Sequence, residues 1–341
     1  MEKPKIRLKI GKKKLIALSI IAVVLAVLPW VVESTYLKHL IVMAFVYATL
    51  GMTFSMLYST GLITLGAAAF YALGAYASAT IVMKLGLSFW YAFPLVILIC
   101  GILALAFGAI LVRYPGVAFV VITLLFAHVV IDLAGQLEFF GGWGGIIRIP
   151  PPTPIGPIVF VEKITFYYLI LALFLLIALI FYALYSSRIG RAWRAIKLSP
   201  KLAETLGINL YRYRLLAFIV ASLAAAAVGS FYAHYFQVIT PLSFGGWFSI
   251  NIQLFSVLGG LEFYILGPAL GAVIMTFVPE FLRVTKEVEP IITGILLLVI
   301  ILFFTGGILG SIKKLPSFSR KSISDRIKKL IKMSGLTKTK Y

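Results

Sequence analysis

Charge is scarce in this sequence. Only 12% of its 341 residues are Asp, Glu, Lys or Arg, against 62% hydrophobic. A soluble domain carries about 25% charged residues, so a water-soluble globule is excluded and the apolar excess needs lipid. Cysteine is nearly missing: a single Cys100, inside an apolar run, rules out an intrachain disulfide or a cysteine-built metal site. Three His and two Asp are scattered along the chain, which argues against a membrane transferase built on paired aspartates or a His-rich metal cluster. No G-x-x-x-x-G-K-[ST] occurs; "GKKK" at 11–14 is the one Gly-Lys start and lies in a charged stretch. Any ATP chemistry therefore belongs to another chain, and no cofactor is expected on this one.

What the chain has is a basic excess, +20 net, placed unevenly. Seven Lys and Arg precede Leu15, seven lie between Arg188 and Arg214, and ten follow Ser311. No groove-reading motif or aromatic-basic interleaving accompanies them, so nucleic acid is not the expected partner. Cations clustered beside apolar runs are what positive-inside topology produces, and they also attract anionic lipid headgroups.

Runs of about 20 apolar residues suit a bilayer crossing. Ten are expected, over 15–32, 37–58, 62–83, 89–112, 117–137, 165–185, 213–235, 247–261, 264–282 and 290–310, giving an all-α polytopic membrane protein. The first run exceeds a typical signal-peptide core and "PWVVEST" offers no small-x-small cleavage site; it reads as a retained span. Alternate crossing from a cytoplasmic start puts residues 1–14, 113–116, 186–212 and 311–341 on one side, and the Gly/Pro-rich loop 138–164 outside. That loop reads either as a connector or as a docking surface for an external partner. In the basic tail, Ile323, Ile327, Leu330 and Ile331 share a face, which fits a surface-lying helix or a disordered segment. The eighth run, "WFSINIQLFSVLGGL", is short and ends at Gly259-Gly260, so it reads as a discontinuous helix or half of a re-entrant pair inside the bundle. "LGAAAF" at 65–70 and "LGPALG" at 266–271 echo each other, raising an inverted repeat.

Between the basic residues sits "SPKLAETLG", 199–207. Ser199 suits a helix N-cap, Pro200 the first helical position, and Gly207 a left-handed stop. Leu202, Ala203 and Leu206 are expected on one side, with Lys201, Glu204 and Thr205 offering polar contacts. A helix this short is not stable alone in water, so it packs on its own bundle or plugs into a partner's groove.

Within the spans, ionisable groups are functional candidates. His128 and Asp132 are i, i+4 with Gln136 next in line; a hydrogen-bonded contact facing the bundle is favoured over a proton relay. Glu280 and Arg283 read as a surface pair, and His39 and His234 are given no role. Gly and Ala concentrated in 61–79 and 224–229 read as close helix packing. Thr64, Gly66, Thr123, Asn251, Gln253, Gly259 and Gly260 are the candidates for a translocation path.

Three ordered stretches resemble one family. "SRIGRAWRAIKLSPKLAETLGINLYRYRLLAF" is similar to the cytoplasmic loop of LivM-type permeases, with Ser187, Gly190, Arg191, Ala192, Ala195, Ile196, Ala203, Leu206, Gly207, Ala217 and Phe218 matching. "GLITLGAAAFYALGAY" and "PLSFGGWFSINIQLFSVLGGLEFYILGPALGA" resemble its upstream and downstream motifs. Thr64 stands for the usual Ser, Arg214 for Lys and Glu262 for Gly. The resemblance implies the membrane subunit of an ABC importer for branched-chain amino acids in a prokaryotic cell membrane. It also implies a second, paralogous permease, two cytoplasmic ATPases carrying ATP-Mg, and an extracytoplasmic solute-binding protein, with residues 199–207 as the coupling helix. An ion-coupled secondary transporter is the alternative, for which Asp132 is the one deep carboxylate.

Overall fold

The computed structural model describes residues 25–154, 156, 159, 160, 162–281, 294 and 307–314. Expected features over 1–24, 282–293, 295–306 and 315–341, including most of the first and last spans, Arg283 and the tail helix, lie outside the described residues. Helix α1 covers 25–31, followed by α2 (Thr35–Tyr58), α3 (Ala67–Leu85), α4 (Phe89–Leu111), α5 (Val117–Gln136) and α6 (Lys163–Ser186). Two short helices, α7 (Arg188–Leu198) and α8 (Pro200–Thr205), lead to the long α9 (Leu210–Phe236). Then come α10 (Gly246–Gly259), α11 (Leu266–Phe281) and α12 (Gly307–Lys314). Six of the described helices, α2 to α6 and α9, are long and apolar enough to cross a membrane.

Helix α2 is apolar all round, which suits a helix enclosed by others rather than a lipid-facing one. It is buried along nearly its whole length and touches α6, α9, α10 and α11. By contrast α4 buries a single stripe, Phe89, Ala92, Val96, Cys100, Ala104, Gly108 and Leu111, at helical spacing. Its opposite face, including Leu98, Ile102, Leu105 and Ile110, is exposed and entirely apolar, as a lipid-facing surface requires.

The glycine- and alanine-rich runs are where α3 and α9 meet. A Cβ on Gly74 would sit 2.1 Å from the Ala226 carbonyl oxygen, and one on Gly229 2.0 Å from that of Tyr71. With backbone against backbone neither side has a rotamer to yield, so the packing reading of these runs holds. Gly74→Val is expected to destabilise the bundle by about 3 kcal/mol or more through overpacking, seen as early loss of a monodisperse peak on heating in detergent. Gly101→Ala, which meets only a Leu223 methyl at 3.3 Å, is the tolerated control.

Contacts between loops define two ends. At the first, Lys197 lies over the rings of Tyr58 and Tyr264, and Arg113 over Tyr211. At the second, Ile146 pairs with Ile239 and Ile147 with Val238 in a two-stranded antiparallel ribbon, β1 (Ile146–Ile147) with β2 (Val238–Ile239). Trp30 Nε1 donates to Tyr168 Oη there, and the Lys84 ammonium to the Phe139 carbonyl. These assignments agree with alternate crossing through the described helices.

Two expectations change. Residues 62–66 are not helical; α3 starts at Ala67 because the preceding backbone is tied elsewhere, as described below. The inverted repeat is not confirmed: the turns that lead into α3 and α11, where the two echoing stretches lie, are both beside Lys197. The short eighth and ninth runs form an antiparallel hairpin, since a Cβ on Gly271 would meet the Phe255 carbonyl at 1.7 Å and one on Gly259 the Gly267 carbonyl at 1.7 Å. With 14 and 16 residues, both helices fall short of an ordinary crossing.

Candidate functional site

Four of the path candidates converge. The chain leaves α2 through Gly61, whose φ of +78° needs no Cβ, and runs non-helically through Leu62–Gly66. Leu65 N–H donates to Thr123 Oγ1 of α5 at 3.1 Å, and Gly66 N–H donates to Thr64 Oγ1 at 3.0 Å. From α10, Gln253 Nε2 donates to the Thr64 carbonyl at 2.9 Å. Side chains thus satisfy backbone that a helix would have satisfied itself, the condition for irregular chain inside a bundle. Thr64 and Gly66, with Thr53, Leu57, Phe70, Phe218, Ala221 and Ser222, line a cavity with room for about one water. This irregular segment, called the stopper below for its buried position, is thus enclosed by α5 and α10.

The remaining candidates sit differently. Asn251 is half-buried, about 200° around α10 from Gln253 at 100° per residue. Gly259 and Gly260 close the α10–α11 hairpin, where their lack of a side chain is used for helix contact, and a Cβ on Gly307 of α12 would meet Gly260 Cα at 2.4 Å.

At the basic end, α8 is capped as its sequence dictates. Ser199 Oγ accepts from Leu202 N–H, Pro200 starts the helix, and Gly207 takes φ +77°. Gly207 N–H bonds to the Glu204 carbonyl and Ile208 N–H to that of Ala203, the paired closure of a glycine-terminated helix. The expected apolar side splits, however. Ala203 is buried and is the anchor, whereas Leu202 (61% exposed) and Leu206 (71%) point outward beside Leu198 (87%). Lys201, Glu204 and Thr205 are exposed too.

Helix α7 holds α8 on the bundle. Its exposed face is charged and its inner face carries Trp193, fully buried, whose Nε1 donates to the Tyr213 carbonyl at 2.9 Å. Lys197 Nζ lies 3.9 Å from the centre of the Tyr58 ring and 5.9 Å from that of Tyr264. Tyr264 stacks on Tyr185 at 4.5 Å. Burial pushes the Lys197 ammonium below the ordinary lysine range, with the Glu262 carboxylate pulling it back up. Glu262 lies exposed at the hairpin tip, between α10 and α11. Lys197 therefore joins α7 to the end of α2, just before residues 62–66, and to the α10–α11 turn.

Two histidines missed by sequence reasoning are structural. His39 Nδ1 is 2.8 Å from Tyr235 Oη. His234, fully buried, donates from Nδ1 to the Pro150 carbonyl at 2.7 Å, so its Nε2 accepts from Ser78 Oγ at 2.9 Å, and Ser230 donates to Ser78. With the ribbon and Trp90 Nε1 on the Thr153 carbonyl, this pins the Gly/Pro-rich loop to the bundle. No signal within a few residues of His234 points to Ser78 or Pro150. His128, Asp132 and Gln136, expected to face the bundle, instead face outward: α5 buries Phe119, Thr123, Ala127, Val130 and Ala134, and the polar three fall on the opposite side.

A bundle of apolar helices around a buried non-helical segment, with a capped stub at its basic end, makes a polytopic membrane protein. Residues 36–305 match the family model for the branched-chain amino acid transport system / permease component, and the chain belongs to that family. It is 27% identical over 296 residues to the high-affinity branched-chain amino acid transport system permease protein LivM of Salmonella typhimurium, covering 78% of this chain and 68% of that one. LivM of Escherichia coli is 28% identical over 297 residues, 77% and 68% of the two chains. LivH of Salmonella typhimurium is 33% identical over 127 residues, 36% and 40% respectively. No solved structure matches the chain.

Proposed function

We infer that this chain is the permease subunit of an ATP-driven ABC importer, forming the path for branched-chain amino acids or a closely related small solute. The observation that carries the reading is the family match across residues 36–305, which spans the stopper, the capped stub and the hairpin alike. Around it, the importer has a second permease, a paralogue, as the separate likenesses to LivM and LivH support. Two cytoplasmic ATPases hold ATP-Mg and seat α8, whose outward Leu202 and Leu206 with Leu198 suit an apolar groove. An extracytoplasmic solute-binding protein delivers the solute to the end carrying the pinned loop. The basic end is cytoplasmic, following the distribution of Lys and Arg, in a prokaryotic cell membrane.

Closure of the ATPases moves α8 as a rigid peg. Helix α7 and Lys197 pass that displacement to the foot of α2 and the hairpin tip, and the 62–66 stopper, held by Thr123 and Gln253, shifts to open the seam. An apolar side chain suits a passage whose lining holds no ionised group among the described residues. Radiolabelled leucine uptake by the complete complex in proteoliposomes is expected to require internal ATP and the binding protein. Uptake by this chain alone on a proton or sodium gradient would overturn the assignment in favour of a secondary transporter.

A further inference from the structure

Three buried hydroxyls line the small cavity beside the stopper: Thr53 of α2, Thr64 of the stopper itself and Ser222 of α9. Each can donate one hydrogen bond and accept two. Thr53 Oγ1 spends its proton on the Leu50 carbonyl, at 2.6 Å. Thr64 Oγ1 accepts from Gly66 N–H at 3.0 Å, and its own proton has no acceptor among the described residues. Ser222, only 4% exposed, makes no hydrogen bond at all among the described residues. Two O–H donors therefore stand unspent around one cavity. A buried hydroxyl without a partner lowers stability, so their position calls for a ligand that uses them.

The rest of the lining narrows the kind of ligand. Phe70 and Phe218 meet edge to face at 5.6 Å, and Leu57, Ala221 and Ala225 complete an apolar wall. Donors beside such a wall match a group with acceptor oxygens and a compact aliphatic tail. A carboxylate is acceptor-only when ionised. Neutral hydroxyls hold it without the grip of a bidentate guanidinium, which suits a group that has to leave again. With the stopper in place the cavity takes about one water; withdrawal of residues 62–66 is the movement that enlarges it. Thr64 travels with the stopper, whereas Ser222 stays on the long helix α9.

Resting on the importer reading above, we propose that Ser222 is a specificity-determining residue of the path, its hydroxyl donating to the carboxylate of an aliphatic amino acid as the solute passes the stopper. Thr64 supplies a second donor at the start of that passage. The apolar wall receives the side chain, and Ser222 is the fixed polar point against which the solute is oriented.

Ser222→Thr and Ser222→Val share a shape and differ in the hydroxyl, so together they separate chemistry from size. Ser222→Ala adds no atom and cannot overpack the bundle. Each is assayed in the complete complex in proteoliposomes, with radiolabelled leucine and the binding protein, normalised to inserted permease. Ser222→Ala and Ser222→Val are expected to lower maximal uptake by about tenfold, the worth of one hydrogen bond to a charged group. The half-saturating leucine concentration, set by the binding protein, is expected to stay put, and ATP hydrolysis to continue, so solute moved per ATP falls. Ser222→Thr is expected to keep most of the wild-type rate. Equal uptake by the Thr and Val variants, whether high or low, overturns the proposal, as does an Ala variant that matches wild type. Wild-type uptake that needs no ATP would instead remove the importer reading, so the two failures are told apart.

Discussion

Glu204→Pro combined with Gly207→Val is expected to cut ATP-dependent uptake sharply while the permease still inserts in the membrane. Proline at 204 removes an N–H from the last turn of α8 and drives its ring into the preceding turn. Valine at 207 is forced to the +77° φ that the glycine adopts, a conformation costly for a β-branched residue. The stub has six residues and is held by its caps and the buried Ala203, so losing both closing bonds unwinds it. The bundle helices depend little on α8, whose main contacts among the described helices are with α7 and α9. Coupling between sites is typically about 1–3 kcal/mol, and uptake is expected to fall roughly ten- to hundredfold with unchanged membrane yield. Lys201→Ala, at an exposed position, is the control. Undiminished uptake by the double variant in vesicles sinks the peg.

The second large effect is expected at Lys197. Lys197→Met keeps the stem length and removes the cation held over Tyr58 and Tyr264. A desolvated cation–ring contact contributes up to about 2 kcal/mol, so the link from α7 to the foot of α2 loosens without unfolding either helix. ATP hydrolysis is expected to continue while solute moved per ATP falls by about five- to thirtyfold. Lys197→Arg, which keeps a cation that stacks on rings, is expected to restore most of it. If the ratio of solute to ATP is unaltered in Lys197→Met, the clamp carries no signal.

Much of this was legible in the sequence because it is local. The caps of α8 need only Ser199, Pro200 and Gly207, and the long apolar runs of α2, α4, α5, α6 and α9 announce themselves by length. The start of α3 was not legible: "LITLG" reads as more span, and only contacts with Thr123 and Gln253, 58 and 189 residues away, hold it out of the helix. Spacing placed His128 and Asp132 on one face, but it contains no information on which way that face turns. The position of Ala203 has the same origin, since a six-residue helix shows its apolar residues without showing which of them meets the bundle. Of the path candidates, Thr64, Gly66, Thr123 and Gln253 came together, whereas the hairpin glycines answer to backbone contact.

Helix α9 is anchored at both extremities: the Tyr213 carbonyl receives Trp193 of α7, and His234 holds Pro150 of the Gly/Pro-rich loop. Both sit on one unbroken 27-residue helix, about 40 Å long. The two ends of the molecule therefore share one axle. A tilt imposed on either face is felt on the other in the same movement, with no hinge along the shaft to absorb it.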